Sequence, residues 1–240
     1  MNHITRRTML HRGTMLGAVL ALDAVSPALA GTTPAASSVR FKAIDAALRE
    51  GVSKNDVAGV VAMAATPKGI VYVGAFGEAN VATGVPITVD TVFWLLSMTK
   101  AFTATACMQL IEQDRLHLDD DAAKYLPELA LPQILEGFAE DGMPRLRPAK
   151  GAIKVRHLLT HTSGYTYSIW SEALTRYEKV TGMPDIATCK NAAFTAPLEF
   201  EPGERWEYGI SMDWVGKLVE AVSDQSLETT SARTSSRRSA

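Results

Sequence analysis

Cysteine is scarce, with only Cys107 and Cys189 in 240 residues. Two cysteines so far apart lack metal-ligand spacing, which excludes a thiolate metal site. Cys107 falls in an apolar helical stretch where a lone cysteine packs as a small hydrophobe, although pairing with Cys189 is open to it in an oxidising compartment. An excess of one charge is also missing. The 24 Lys and Arg residues nearly balance 26 Asp and Glu, leaving a net charge of −2. Nucleic acid is therefore not an expected partner, and a small molecule or peptide is the default substrate. No apolar run is long enough to span a bilayer, because Met15 to Leu22 is short and is followed by Asp23, so no stable membrane anchor is expected. Internal repeats are absent. Asp119-Asp120-Asp121 has neither the alternating oxygens nor the glycine of a calcium loop and reads as a helix-capping turn.

The hydrophobic content of 47% is ample for a packed core of one large domain or two small ones. Residues 1–30 read as an export signal rather than as fold. Arg6-Arg7 and Arg12 make a basic start, the Met15 to Leu22 stretch follows, and Ala28-Leu29-Ala30 is a cleavage pattern before Gly31. Thr5-Arg6-Arg7-Thr8-Met9-Leu10 resembles a twin-arginine signal. The expectation is a periplasmic or secreted bacterial protein, with a linker at 31–40, a domain over 41–227, and a disordered tail at 228–240 that lacks hydrophobic periodicity.

Within the domain, Phe41, Ile44 and Leu48 mark a first helix ending near Gly51 that should cover a sheet. Gly59 to Ala65 and Ile70 to Phe76 flank Pro67-Lys68-Gly69 and predict an antiparallel hairpin. Val92 to Leu96 is a strand-like apolar run leading to a helix marked by Ala101, Thr105, Met108, Ile111 and Glu112. Leu118 to Pro127 reads as a helix exit and a short second helix, Leu131 to Gly151 as an irregular surface excursion, and Val155 to Thr160 as a helix. Trp214, Val215, Leu218, Val219 and Val222 stripe a last amphipathic helix.

Ser97-Met98-Thr99-Lys100 stands where the apolar run meets the helix. Residues at i and i+3 share a helix face, so the Lys100 amine can reach the Ser97 hydroxyl. A serine buried at the start of a helix has unpaired amides and a positive dipole end beside it, which suits a developing oxyanion. A desolvated Lys100 would have a lowered pKa and act as the base. The spacing alone is weak, and an N-cap serine beside a solvated lysine explains it equally well.

A second stretch, His157-Leu158-Leu159-Thr160-His161-Thr162-Ser163-Gly164-Tyr165, and a third, Tyr208-Gly209-Ile210-Ser211, follow in order. Together with the Ser97 motif they resemble the serine β-lactamase-like superfamily, over about Phe41 to Leu227. The resemblance implies an α/β fold of α+β type: an antiparallel sheet flanked by helices plus a mostly helical lobe. It implies Ser97 as nucleophile, Lys100 as its proton partner and Tyr208 as the phenol relaying protons, with no cofactor. An ammonium beside a phenol favours the phenolate, so the chemistry agrees. His157 and His161 have an i, i+4 spacing that can hold zinc, but without an intervening Glu or a third ligand; the resemblance makes His161 an ordering residue of its loop, and no metal is expected.

Two departures bear on activity. Class C β-lactamases carry an asparagine two residues after the tyrosine, and here that position is Ile210, which cannot hydrogen-bond a substrate amide. Esterase-like members match better, so the expected reaction is carboxylic-ester hydrolysis or acyl transfer through an acyl-enzyme on Ser97. A β-lactamase and a D-alanyl-D-alanine peptidase are the alternatives, with a small-molecule ester, β-lactam or peptide as substrate. The family's third, glycine-bearing motif is not found before Ala240, so the fold is expected to be incomplete at its C-terminus and the activity impaired, as by a truncation or frameshift. A non-catalytic remnant is the reading from a different class.

Overall fold

The computed structural model describes residues 41–230. The export signal at 1–30 and the linker at 31–40 lie outside the described residues. The described chain divides between Leu95 and Leu96 into two compact units.

The first unit is a helix on a small antiparallel sheet. Helix α1 spans Lys42–Ser53, and strands β1 (Gly59–Thr66), β2 (Gly69–Asn80) and β3 (Val85–Pro86) follow in the order β1-β2-β3. Strand β1 pairs with β2 in antiparallel register from Gly59 opposite Gly77 to Thr66 opposite Gly69. The turn forms where the sequence places it. Gly69 has φ 124°, a value that side chains resist, so Pro67-Lys68-Gly69 can reverse the chain tightly. Helix α1 lies on β2 through aromatic contacts. The Phe41 and Tyr72 rings stand 5.3 Å apart, the Tyr72 hydroxyl donates to Asp45 at 2.8 Å, and the Arg49 guanidinium lies 4.4 Å from the Phe76 ring centre. Ile44, expected on the covered face, is exposed.

The second unit is built around two helices, α2 (Thr99–Glu112) and α5 (Ser211–Ser223), which pack on each other. Between them in the chain come β4 (Gln133–Phe138), β5 (Pro144–Pro148), α3 (Val155–Leu159) and α4 (Glu172–Thr181). The core joins Ala106, Cys107 and Leu110 of α2 to Val155 and Leu158 of α3 and to Trp214, Val215, Leu218 and Val219 of α5. The stripe read on α5 is the stripe that is buried. On α2 the buried face is Thr103, Ala106, Cys107 and Leu110, not the Ala101, Thr105 and Met108 face expected from the sequence. Apolar residues surround this helix, so periodicity cannot choose a face. Asp121 caps the short turn Ala122–Lys124 by accepting from the Ala123 amide at 2.9 Å, and Asp119 takes two 2.6 Å bonds from Arg156, as capping and surface roles require. Both cysteines are free thiols, Cys107 buried and Cys189 exposed.

Three expectations change. Leu131 to Gly151 is not irregular: β4 and β5 form an antiparallel hairpin, with Ile134 and Leu135 buried and a register shift between Leu135 and Gly137. Gly137 at φ 133° and Gly142 at φ 83° supply the bulge and the turn, so the residues that looked like loop punctuation are parts of a ribbon. Val92 to Leu96 is not a strand. Val92 and Trp94 are 94% and 87% exposed, because among the described residues no strand pairs with this run. Ser97 itself is exposed rather than buried. At the far end, residues 228–230 continue a helical turn, with the Thr230 amide donating to Ser226 O at 3.0 Å; the rest of the expected tail lies outside the described residues.

Candidate active site

Ser97 is the middle residue of a single 3-10 turn, Leu96–Met98, that runs directly into α2. The turn is sharp because Leu96 takes a left-handed φ of 48°. For a branched side chain this conformation costs about 1–3 kcal/mol. One helical step on, Lys100 is half-buried, and its Nζ donates to Ser97 Oγ at 3.2 Å. The sequence-based reach of i to i+3 is realised.

Tyr208 arrives from far along the chain and donates from its hydroxyl to the same Ser97 Oγ at 3.0 Å. The structure therefore brings all three residues predicted from sequence together on one oxygen. Lys100 Nζ also lies 5.1 Å from the centre of the Tyr208 ring and 5.8 Å from that of Tyr167.

The motif from His161 to Gly164 holds Tyr208 in place. The His161 carbonyl accepts the Glu207 amide at 2.9 Å, and its Nδ1 accepts the Gly209 amide at 3.5 Å. The imidazole packs on the phenol with ring centres 4.8 Å apart. His161 thus brackets Tyr208 on both sides, from a left-handed φ of 55°. The next residues lock the loop to α5: Ser163 and Ser211, both fully buried, share a hydrogen bond of 2.8 Å. Two glycines let the segments meet. A Cβ on Gly164 would lie 2.5 Å from Phe200 O, and one on Gly209 would lie 2.5 Å from Thr166 Cα and Tyr165 O. His157 is half-buried and accepts the Lys154 amide through Nδ1 at 3.2 Å, closing the first turn of α3. Both histidines are engaged with backbone amides through Nδ1.

The electrostatics correct one expectation. Burial does press the Lys100 pKa down, but hydrogen bonding to Tyr208 and the nearby Tyr167 oxygen outweigh it, so the net shift is upward. The lowering expected from burial alone is therefore reversed in this surrounding. Tyr208 moves the other way: burial raises it, yet the bonds to Ser97 and Lys100 and the lysine charge bring it below an ordinary phenol. His161 is pulled down to about 4, by burial first and by the Lys100 charge second, and stays neutral as its acceptor role requires.

Sequence reasoning missed two members of this cluster. Tyr167 meets the Tyr208 ring edge-on at 5.5 Å and flanks the lysine. Asp213, in the first turn of α5, has its Oδ2 buried with no hydrogen-bond partner among the described residues. A signal for Asp213 was available: it is an acid beside Trp214 in an otherwise apolar stripe.

A family model described as Beta-lactamase matches residues 44–234. The acyltransferase mokF of Monascus pilosus is 34% identical over 202 residues, which are 80% of this chain and 48% of that protein. Lovastatin esterase of Penicillium rubens is 33% identical over 189 residues, 77% of this chain and 47% of that protein. Among solved structures, unliganded simvastatin synthase from Aspergillus terreus superposes with a TM-score of 0.69 at 32% identity, covering 80% of this chain and 51% of that one. The chain spans about half the length of the relatives it matches. The architecture of helices and antiparallel sheets is the β-lactamase/transpeptidase-like fold.

Proposed function

The chain belongs to the Beta-lactamase family, and on that basis we propose that it is a serine esterase or acyltransferase working on small-molecule esters through an acyl-enzyme on Ser97. The observation that carries this reading is the convergence of Lys100 Nζ and the Tyr208 hydroxyl on Ser97 Oγ. With Tyr208 ionised beside the Lys100 ammonium, the phenolate takes the serine proton as Oγ attacks the ester carbonyl. The tetrahedral oxyanion forms near the positive end of the α2 dipole. Its collapse expels the alcohol oxygen, which takes the proton from Tyr208, and leaves the acyl group on Ser97. Water then gives hydrolysis and a second alcohol gives acyl transfer, each deprotonated by the same tyrosine. No step needs a metal or a redox cofactor.

Amide-ring substrates are the second reading, and Ile210 weighs against it. Its side chain is packed in the core and offers no hydrogen bond to a substrate amide. The esterase and acyltransferase names of the relatives support the same choice. A mass increase equal to the acyl group, located on Ser97 after mixing with p-nitrophenyl butyrate and absent from Ser97→Ala, is the expected result. Faster turnover of a cephalosporin than of that ester would favour a lactamase, and no labelling at all would favour a non-catalytic remnant. The leader read in residues 1–30 adds a periplasmic or secreted location to the proposal, tested by whether the mature protein begins at Gly31.

A further inference from the structure

Lys100 is half-buried, yet among the described residues no carboxylate lies within ion-pair distance of its ammonium. What flanks it instead is aromatic. Its Nζ lies 5.1 Å from the Tyr208 ring centre and 5.8 Å from that of Tyr167, both within the range over which the negative face of a ring attracts a cation. The two rings also meet each other, with centres 5.5 Å apart and planes at 69°, the edge-to-face arrangement that aromatic pairs prefer. Tyr167 thus contacts both of the groups that bond Ser97 Oγ. Its own backbone is held on either side. Thr166 is fully buried with its Cα against Gly209, the residue after Tyr208, so closely that a Cβ on that glycine would lie 2.5 Å away. The Tyr167 carbonyl accepts the Trp170 amide at 3.0 Å, and the Ser168 carbonyl accepts the Thr175 hydroxyl of α4 at 2.9 Å.

We propose that the Tyr167 ring positions the Ser97 centre: its face holds the Lys100 ammonium and its contact with Tyr208 fixes the phenol, so that both stay within hydrogen-bond reach of Ser97 Oγ. The ring and not the hydroxyl carries this role, because both contacts are made through the ring. A half-buried ammonium has lost water on one side, and a π face offsets part of that loss. A carboxylate in the same place would offset more. It would also form a direct, charge-assisted bond to Nζ and draw the amine away from the serine, a competition that a neutral ring avoids. Without the ring, the long lysine side chain regains rotamers that point Nζ away from Ser97. Tyr167 is a positioning residue, since it acts through Lys100 and Tyr208.

Because this role rests on the Ser97 reading above, one arm of its test needs no turnover. In the 240-residue chain, Tyr167→Leu keeps apolar bulk without a π face, and Tyr167→pentafluorophenylalanine keeps the shape of the ring but removes the negative potential of its face. Both should lower kcat for p-nitrophenyl butyrate by about 10-fold with a smaller change in KM, and Tyr167→Phe should restore most of that loss. In the chain carrying Ser97→Ala, with lysines labelled at Cε, the Lys100 proton resonances are displaced by the currents of the neighbouring rings. They should move towards those of exposed lysines in the leucine and fluorinated variants and hold their place in Tyr167→Phe. Three results overturn the proposal: equal kcat in the fluorinated and Phe variants, which makes the ring mere filling; a Phe variant as slow as the fluorinated one, which gives the role to the hydroxyl; and Lys100 resonances that stay unmoved. Each can be read from the fluorinated variant even when Tyr167→Leu fails to fold. Lys100 resonances displaced as expected in a protein that never acylates Ser97 would uphold the hold on the ammonium and overturn the proposed function instead.

Discussion

His161 offers the sharpest test of how the site is held, because two of its three contacts with the Tyr208 segment come from its side chain and can be removed in turn, while the backbone bond to Glu207 stays. His161→Asn keeps an acceptor and a residue type tolerant of the left-handed φ of 55°, and loses only the ring. The lost ring contact at 4.8 Å is worth about 0.5–1.5 kcal/mol. His161→Ala loses the ring and also leaves the Gly209 amide without its side-chain acceptor, an added cost of about 1–3 kcal/mol. The melting temperature should therefore fall by about 2–4 °C for each kcal/mol, least in the asparagine variant. Activity should fall further than stability: with the bracket open, Tyr208 drifts relative to Ser97 Oγ, and a misplacement of about 1 Å costs roughly 100-fold in rate. The pH behaviour is specific to this residue. Its pKa is about 4 when folded and near 6.5 when unfolded, so the unfolded chain binds more protons between those values. The contribution is whole above pH 6.5 and is lost as pH falls towards 4. The full conversion is reduced by solvent to about 2 kcal/mol for a half-buried ring. Thermal melts of wild type and His161→Asn at pH 7.5 and 4.5, paired with ester kinetics at pH 7.5, check each part. Equal acid sensitivity in the two proteins, with unchanged turnover in His161→Ala, would refute the bracket.

Other outcomes follow from the same contacts. The kcat/KM profile should rise with an apparent pKa below an ordinary phenol, set by Tyr208, and fall only above the ordinary lysine range, set by Lys100; a profile governed by a group near pH 6.5 would contradict this assignment. Lys100→Met, which keeps the length of the side chain but no charge, should reduce kcat by at least about 10³-fold in steady-state ester assays, with a smaller change in KM. Gly209→Ala places a methyl 2.5 Å from backbone atoms of Tyr165 and Thr166 and should cost about 3 kcal/mol in denaturant unfolding, or prevent accumulation of soluble protein. Leu218→Ala, at a fully buried position between α2 and α5, should cost about 2–5 kcal/mol by the same measurement.

Much of this was legible in the chain because local signals and tertiary demands agree. The Pro67-Lys68-Gly69 turn, the α5 stripe around Val215 and Leu218, and the spacing from Ser97 to Lys100 each specify what the fold uses. Legibility failed where a signal had two meanings. Gly137 and Gly142 read as loop breakers and are a bulge and a turn within a ribbon. Helix α2 is apolar all round, so its buried side is set by the facing α5 residues and not by its own pattern. Lys100 shows the deepest form of the problem. Burial alone lowers a lysine, and only the tyrosines at 167 and 208, remote in sequence, reverse the sign.

The candidate site is carried on a helix pair, and under the proposed function this makes the hydrophobic core a tuning device for chemistry. Ser97 and Lys100 sit at the front of α2, Tyr208 leads into the front of α5, and the buried Ser163–Ser211 bond fastens the tyrosine's loop to the latter. The separation of the Ser97 and Tyr208 oxygens is therefore governed by how Ala106, Cys107 and Leu110 mesh with Val215, Leu218 and Val219. A close-packed interior passes on changes of a single methylene. Inherited or engineered change in rate can thus begin at positions a substrate never meets, and a library confined to the mouth of the site would overlook them.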